Sequence, residues 1–201
     1  MSNRESINVV WLKRDLRLQD NEAITNALKS GKRTLILYVF EHIVLKDVHY
    51  SERHFNFIKE SLKDINAQLK TCNTKVFTVT SDIQSAFNLI QEFYKIDTMY
   101  SHVETGLLAT YNRDKELTRY CRNNLITWLE NKNNGVERGL VDREDWFENW
   151  ETYMSQNLEV FQPKDKQLLN LSEVEELETV FTLTDLDTPD DTSFQKGGTA
   201  M

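Results

Sequence analysis

Five apolar, β-rich runs punctuate the chain: Ile7–Leu12, Thr34–Phe40, Lys75–Thr80, Thr98–Val103 and Leu125–Leu129. Each is near-continuous rather than alternating, which is the pattern of strands covered on both faces. Between the runs the period changes to that of a helix. Phe55, Ile58, Leu62, Ile65 and Leu69 recur at steps of three and four residues and predict one apolar stripe over several turns, starting near Ser51 with Arg53 or His54 close by. A shorter helix is expected over Asn21–Lys29, with Asp20 or Asn21 as its cap and Gly31 as its stop. Ile83, Phe87, Ile90 and Tyr94 share one face of a third helix, capped by Ser81 or Asp82. Tyr111–Asn123 forms a fourth that turns Leu117, Tyr120 and Cys121 inward.

Strand–helix alternation with short connections predicts an α/β fold: a doubly wound, five-stranded parallel sheet, Rossmann-like, in a three-layer α/β/α sandwich. Right-handed crossovers make this arrangement nearly obligatory, and the expected strand order is 3-2-1-4-5. The ligand crevice of such a sheet lies where the order reverses, at the carboxyl ends of the first and fourth strands. Here that places Leu12–Asp15 beside Val103–Gly106.

The pattern ends near Glu130, so residues 1–130 are expected to form the α/β domain. Asn131–Gly135 is a turn. Residues 131–166 are expected to hold a peripheral helix, with Asp142 and Asp145 at capping-box spacing. Trp146, Trp150 and Tyr153 or Met154 fall on one side of it. That side is either a packing face or a surface that meets a further domain or a chromophore pocket. From Gln167 to Gln195 there is no Lys or Arg but there are eight carboxylates, among them Glu173, Glu178, Asp190 and Asp191. Residues 167–201 therefore read as an extended acidic linker with one short helix near Glu173–Val180.

Composition narrows the function classes. Hydrophobic content of 39% and charged content of 28% fit a globular chain of 201 residues. No run reaches the roughly 18 apolar residues of a membrane span, and the N-terminus lacks a hydrophobic signal region. A cytoplasmic protein without membrane partners is expected, with Cys72 and Cys121 as reduced, small, apolar residues. The net charge of −8 argues against this segment binding nucleic acid by itself. His42, His49, His54 and His102 show no ligand spacing, so no metal site is expected. No glycine-rich phosphate loop follows the first strand, and no Ser/His/Asp arrangement has nucleophile context. No catalytic residue is assigned in this stretch.

One segment is more specific. After the first strand the chain runs Lys13-Arg14-Asp15-Leu16-Arg17-Leu18-Gln19-Asp20-Asn21. Asp15 between Arg14 and Arg17 suggests an internally paired loop that braces the strand end. This spelling resembles the N-terminal signature of the DNA photolyase/cryptochrome family. Weaker likenesses follow in order. Thr34–Glu41 resembles the family's second strand, Ser51–Leu62 its next helix, and Arg113-Asp114 the pair that opens the helix after the fourth strand. The ending Phe194-Gln-Lys-Gly-Gly198 has the form that opens the family's helical flavin-binding domain, so the chain is expected to be a piece of a longer protein.

The resemblance implies an antenna-type domain with no catalytic centre of its own. FAD, the UV-damaged DNA and the light-driven repair of pyrimidine dimers would belong to a C-terminal helical domain, the partner of this one. A deazaflavin, folate or flavin antenna is implied as an option. By analogy with deazaflavin-binding members, Phe40, Glu41, His42 and Arg53 would frame it, with Glu104 at the crevice. Folate-binding members carry an Asn-Glu pair where Ala109 and Thr110 stand here, which speaks against folate in that manner. A cryptochrome photoreceptor is the alternative within the family. A nucleotide-binding subunit related to electron-transfer flavoproteins is the alternative outside it.

Overall fold

The computed structural model describes residues 4–133, 135–136, 139–181, 183–189 and 194–199. Asp190 and Asp191 of the acidic stretch, and Glu137 and Arg138 before the tryptophan helix, lie outside the described residues. Five strands, β1 (Ser6–Leu12), β2 (Thr34–Glu41), β3 (Phe77–Ser81), β4 (Lys95–His102) and β5 (Thr127–Asn131), form one parallel sheet in the order β3-β2-β1-β4-β5. The expected fold and strand order are therefore borne out. Val9 lies opposite Leu35 on β2 and Met99 on β4, which puts β1 at the centre of the sheet.

Side chains alternate across β1 and so feed two cores. Ile7, Val9 and Trp11 join Leu37, Val39 and Phe77 under α4 (Ile83–Phe93) and α5 (Leu108–Asn123). Val10 and Leu12 join Ile36, Tyr38 and Phe40 under α1 (Glu22–Lys29) and α3 (Glu52–Leu69). These are the three expected layers. Asn21 caps α1 by accepting from Ile24 N–H at 3.1 Å, and Asp82 caps α4 by accepting from Ser85 N–H at 2.9 Å. Ser51 and His54 form a capping box at the start of α3.

Boundaries moved where local hydrogen bonds outcompeted the apolar pattern. β3 begins at Phe77 because Asn66 of α3 takes the Val76 N–H at 2.8 Å and Thr74 bonds Leu169 O at 2.6 Å. Leu125 has a left-handed backbone (φ 56°) and is exposed, so it turns the chain into β5 instead of opening the strand. A short helix, α2 (His42–Leu45), follows β2 without a sequence signal strong enough to announce it. α5 begins at Leu108, so Arg113 and Asp114 lie inside the helix rather than at its opening.

Two expectations need correction. In α6 (Trp146–Met154), Asp145 is the cap but makes no side-chain capping bond. Asp142 instead accepts from Glu144 N–H at 3.1 Å, so the capping box is absent. The Trp146 and Trp150 rings stack 6.3 Å apart, yet no residue of this helix is buried. The second correction concerns the acidic stretch. Leu168, Leu169, Val174 and Leu177 are buried in the two cores, and Leu169 N–H donates to Thr34 O at 3.0 Å. Residues 171–178 form α7 (Leu171–Glu178), opened by an Asn170–Glu173 capping box. Arg33 pairs with Glu173, and Lys75 with Glu178 at 2.8 Å. An apolar stripe at helical spacing thus lies within the acidic composition, and cations from elsewhere in the chain neutralise it.

Leu177→Ala should therefore cost about 2–5 kcal/mol in urea denaturation, the range for truncating a buried leucine. Limited proteolysis should spare residues 168–178. First cleavage inside that span, or unchanged stability of the variant, would show that α7 is not part of the core.

Candidate functional site

The carboxyl ends of β1, β2 and β4 carry a dense set of charges. β1 delivers Trp11 to the core and then releases the chain into the Lys13–Arg17 loop. The expected internal Arg14–Asp15–Arg17 brace does not form. Arg14 Nε donates to Glu104 Oε1 at 3.2 Å, and Arg17 Nε to Asp20 O at 3.0 Å. Asp15 is buried and turns the other way. Its Oδ1 accepts from Lys13 N–H at 3.0 Å, and its Oδ2 lies 2.5 Å from His102 Nδ1 at the end of β4. Asn21 Nδ2 also reaches Asp15. The loop bends at Lys13 and Arg14, and each of its charges takes a partner from outside the Arg14–Asp15–Arg17 run: Glu104, His102 and Asp20.

Arg113 of α5 is the hub of the charge cluster. Its guanidinium bonds Glu41, Glu104 Oε2 at 3.2 Å and Asp114 Oδ1 at 2.9 Å, and lies 4.6 Å from the Trp11 ring centroid. Lys13 covers the same ring at 4.7 Å and pairs with Asp114 at 3.0 Å. Lys13, Arg14 and Arg113 thus balance Glu41, Glu104 and Asp114. Burial pushes the Glu41 carboxyl up to about 7, and the nearby Arg113 offsets this only in part. Burial also tends to raise Glu104, but Arg14 and the Gly106 N–H, at 2.7 Å, hold it below the usual carboxylate range. For Arg113, burial lowers the pKa, and Glu41, Asp114 and Glu104 more than reverse that. A Cβ on Gly106 would lie 2.1 Å from Arg14 Nη2 and 2.6 Å from Glu104 Oε1, so a side chain there would displace the Arg14–Glu104 pair.

This cluster forms one wall of a cavity of about 580 Å³ over the ends of β1 and β2. Tyr38, Phe40, Tyr50, Phe55 and Ile58 supply an aromatic and apolar wall, and Phe194 approaches from the C-terminal segment, 5.6 Å from Arg53 Cζ. The segment is held by backbone donors. Gly197 N–H bonds Glu60 Oε2 at 2.6 Å, and Thr199 N–H bonds Asp64 Oδ2 at 2.9 Å, both on α3. A mainly apolar cavity of this size with a few converging polar groups suits a small organic ligand. Flat aromatic walls facing one charged wall favour a planar conjugated ring with polar edges.

Of the residues singled out from sequence, Phe40, Glu41, Arg53 and Glu104 line this cavity, as do Arg14 and Arg17. His42 does not. It is exposed on α2 and is absent from the lining, because the first turn after Glu41 rotates it away from the sheet end. Sequence reasoning missed Arg113 as the hub, because its partners are 72 and 9 residues away in the chain. It also missed His102, whose partner Asp15 is 87 residues away.

Comparison with known proteins places the fold. A family model described as DNA photolyase matches residues 8–179. The deoxyribodipyrimidine photo-lyase of Alkalihalophilus pseudofirmus is 27% identical over 107 residues, covering 51% of this chain and 22% of that protein. The chain thus spans about a fifth of that relative's length. The Synechocystis sp. PCC6803 cryptochrome structure superposes with a TM-score of 0.67 at 18% identity, covering 85% of this chain and 38% of that one. An archaeal photolyase from Sulfolobus tokodaii, solved with two FAD molecules, gives 0.65 at 16% identity, covering 95% and 44%.

Proposed function

Because the chain belongs to the DNA photolyase family, we propose that it serves as the antenna-type N-terminal α/β domain of a flavoprotein that repairs ultraviolet-induced pyrimidine dimers in DNA under blue light. In this reading FAD and the damaged DNA are bound by a helical domain beyond this segment. The α/β unit runs through α7, and the stretch after residue 181 leads to that partner domain.

The observation that carries the reading is the aromatic cavity beside the Arg113 cluster. A tricyclic flavin or deazaflavin suits it better than a folate, given the near-parallel rings of Tyr50 and Phe55 and the absence of Asn-Glu at positions 109 and 110. The Sulfolobus tokodaii photolyase, which shares this fold, is reported with two FAD molecules and the implication of a novel light-harvesting cofactor. A bound antenna would supply blue-light absorption and transfer of excitation energy. The protein's own groups bind and orient it. Tyr50 and Phe55, whose rings lie 22° from parallel, provide a stacking wall, and Arg53 offers donors to polar ring edges. Glu41 and Glu104 keep Arg113 and Arg14 in place. Phe194 and the apolar wall exclude water, whose motion would quench an excited ring.

The test uses the protein as its gene encodes it, incubated with thymine-dimer DNA in the dark and under blue light. Light-dependent dimer loss is the expected result. Bound flavin with no repair of cyclobutane or (6-4) lesions would overturn the repair reading in favour of a cryptochrome-type photoreceptor. A protein that holds no flavin would overturn both.

A further inference from the structure

The Lys13–Arg17 loop has a second side. Next to the aromatic cavity, with which it shares Lys13, Arg14, Arg17 and Glu104, it borders a crevice of about 330 Å³ between the carboxyl ends of β1 and β4. The strand order β3-β2-β1-β4-β5 reverses there, which is where open α/β sheets bind ligands. Asp15, His102, Arg14, Arg17, Tyr153 and Met154 are among its walls.

His102 is 2% exposed, and its Nδ1 is committed to Asp15 at 2.5 Å. A buried carboxylate of lowered pKa accepts, so Nδ1 carries the proton of this bond. The ring is fixed in orientation, and its Nε2 has no hydrogen-bond partner among the described residues. Among the described residues the one fully buried side-chain polar atom without a partner is Asn8 Oδ1, so His102 Nε2 reaches the crevice edge, where an imidazole nitrogen with no protein partner marks a place for a ligand atom or water. The cations beside it are also incompletely used. Arg14 bonds Glu104 only through Nε, and Arg17 reaches Asp20 through Nε and Nη2. The terminal nitrogens of Arg14 and Nη1 of Arg17 therefore remain as donors.

The carboxylates of the crevice, by contrast, are occupied. Asp15 holds His102, Asn21 and Lys13 N–H; Glu104 holds Arg14, Arg113 and Gly106 N–H; Asp20 faces Arg17. What the crevice offers a ligand is two guanidinium edges, one imidazole nitrogen and an aromatic–thioether wall from α6.

We propose that this crevice is a second ligand site, taking a phosphate monoester of a hydroxylated skeleton of ribose 5-phosphate type. The phosphate sits on Arg14 and Arg17, and a sugar hydroxyl on His102 Nε2. Guanidinium groups suit phosphate because their planar fork matches its oxygens. The volume is of the size of a sugar phosphate. Free sugar phosphate and nucleotide share this chemistry.

The experiment titrates the full chain with ribose 5-phosphate, AMP and inorganic phosphate, by calorimetry and by imidazole ¹H–¹⁵N correlation spectra. Saturable binding of ribose 5-phosphate, tighter than inorganic phosphate, with a shift of the His102 Nε2 resonance is expected. AMP binding more tightly than ribose 5-phosphate would identify a nucleotide as the source of the ester; equal affinity would identify the sugar phosphate. Arg17→Gln should weaken binding about tenfold, the scale of one charge-assisted bond, and its partly exposed side chain makes it safe for folding. His102→Asn should remove the preference over inorganic phosphate. Equal affinities for ribose 5-phosphate and inorganic phosphate, an unmoved His102 resonance, or binding unchanged in Arg17→Gln but lost in Tyr50→Ala would each overturn the site.

Discussion

Arg113→Ala should cost about 3–5 kcal/mol of folding stability, the range for removing one partner of a buried ion pair. Glu41 and Asp114 would then face each other with only Lys13 and Arg14 nearby, and the Trp11 face would lose one of its two cations. Arg113→Lys should recover only part of this, because a single ammonium cannot meet three carboxylates that the planar fork meets together. Urea denaturation at neutral pH measures both variants. A loss under about 1 kcal/mol would mean the cluster is solvated and not a structural hub.

The same cluster sets a pH dependence with a definite sign. Glu41 ordinarily titrates at 4.5 and in the fold at about 7, so between these values the folded state binds more protons than the unfolded chain. Its contribution is fully present below pH 4.5 and fades as pH rises through 7. The amplitude is on the order of 3 kcal/mol. Glu41→Gln mimics the protonated form and should flatten that part of the profile while leaving Arg113 paired with Glu104 and Asp114.

Asp15→Ala is the second large effect, at about 3 kcal/mol, because it leaves His102 and the Lys13 N–H buried without their acceptor and loosens Asn21 at the start of α1. Its pH signature runs opposite to that of Glu41. Burial raises the Asp15 pKa, but the His102 bond and charge outweigh this and the value is lowered. Asp15 therefore stabilises the fold above its ordinary value of 3.8, and that stability is lost as pH falls through its lowered folded value. The acid limb of the parent's denaturation profile should shrink in Asp15→Ala, while the limb between pH 4.5 and 7 persists. Loss of both limbs would mean the two clusters act as one.

The sheet was legible because burial on both faces writes near-continuous apolar runs, and because parallel strands admit few topologies. β1, β2 and the stripe of α3 could be read almost to the residue. α7 could not, since Val174 and Leu177 stand among glutamates whose charge is neutralised by Arg33 and Lys75 from distant parts of the chain. The site was half legible for the same reason. Phe40, Glu41 and Arg53 follow locally recognisable strand and helix ends. The Arg113 hub and the Asp15–His102 pair depend on contacts across the sheet, which no local pattern records. His42 shows the opposite failure: adjacent to Glu41 in sequence, it is carried to the surface by one turn of α2.

The central claim is that the cavity over β1 and β2 is an antenna site, and chromophore titration of the chain tests it most directly. Flavin mononucleotide, a deazaflavin and a methenyl-folate would each be added and followed by absorbance and fluorescence. One-to-one binding of a flavin or deazaflavin with a red-shifted band is predicted. It should weaken about three- to tenfold in Arg53→Ala, the scale of a cation–π or edge contact. Failure of all three chromophores to bind, or binding indifferent to Arg53 and Tyr50, would contradict the account.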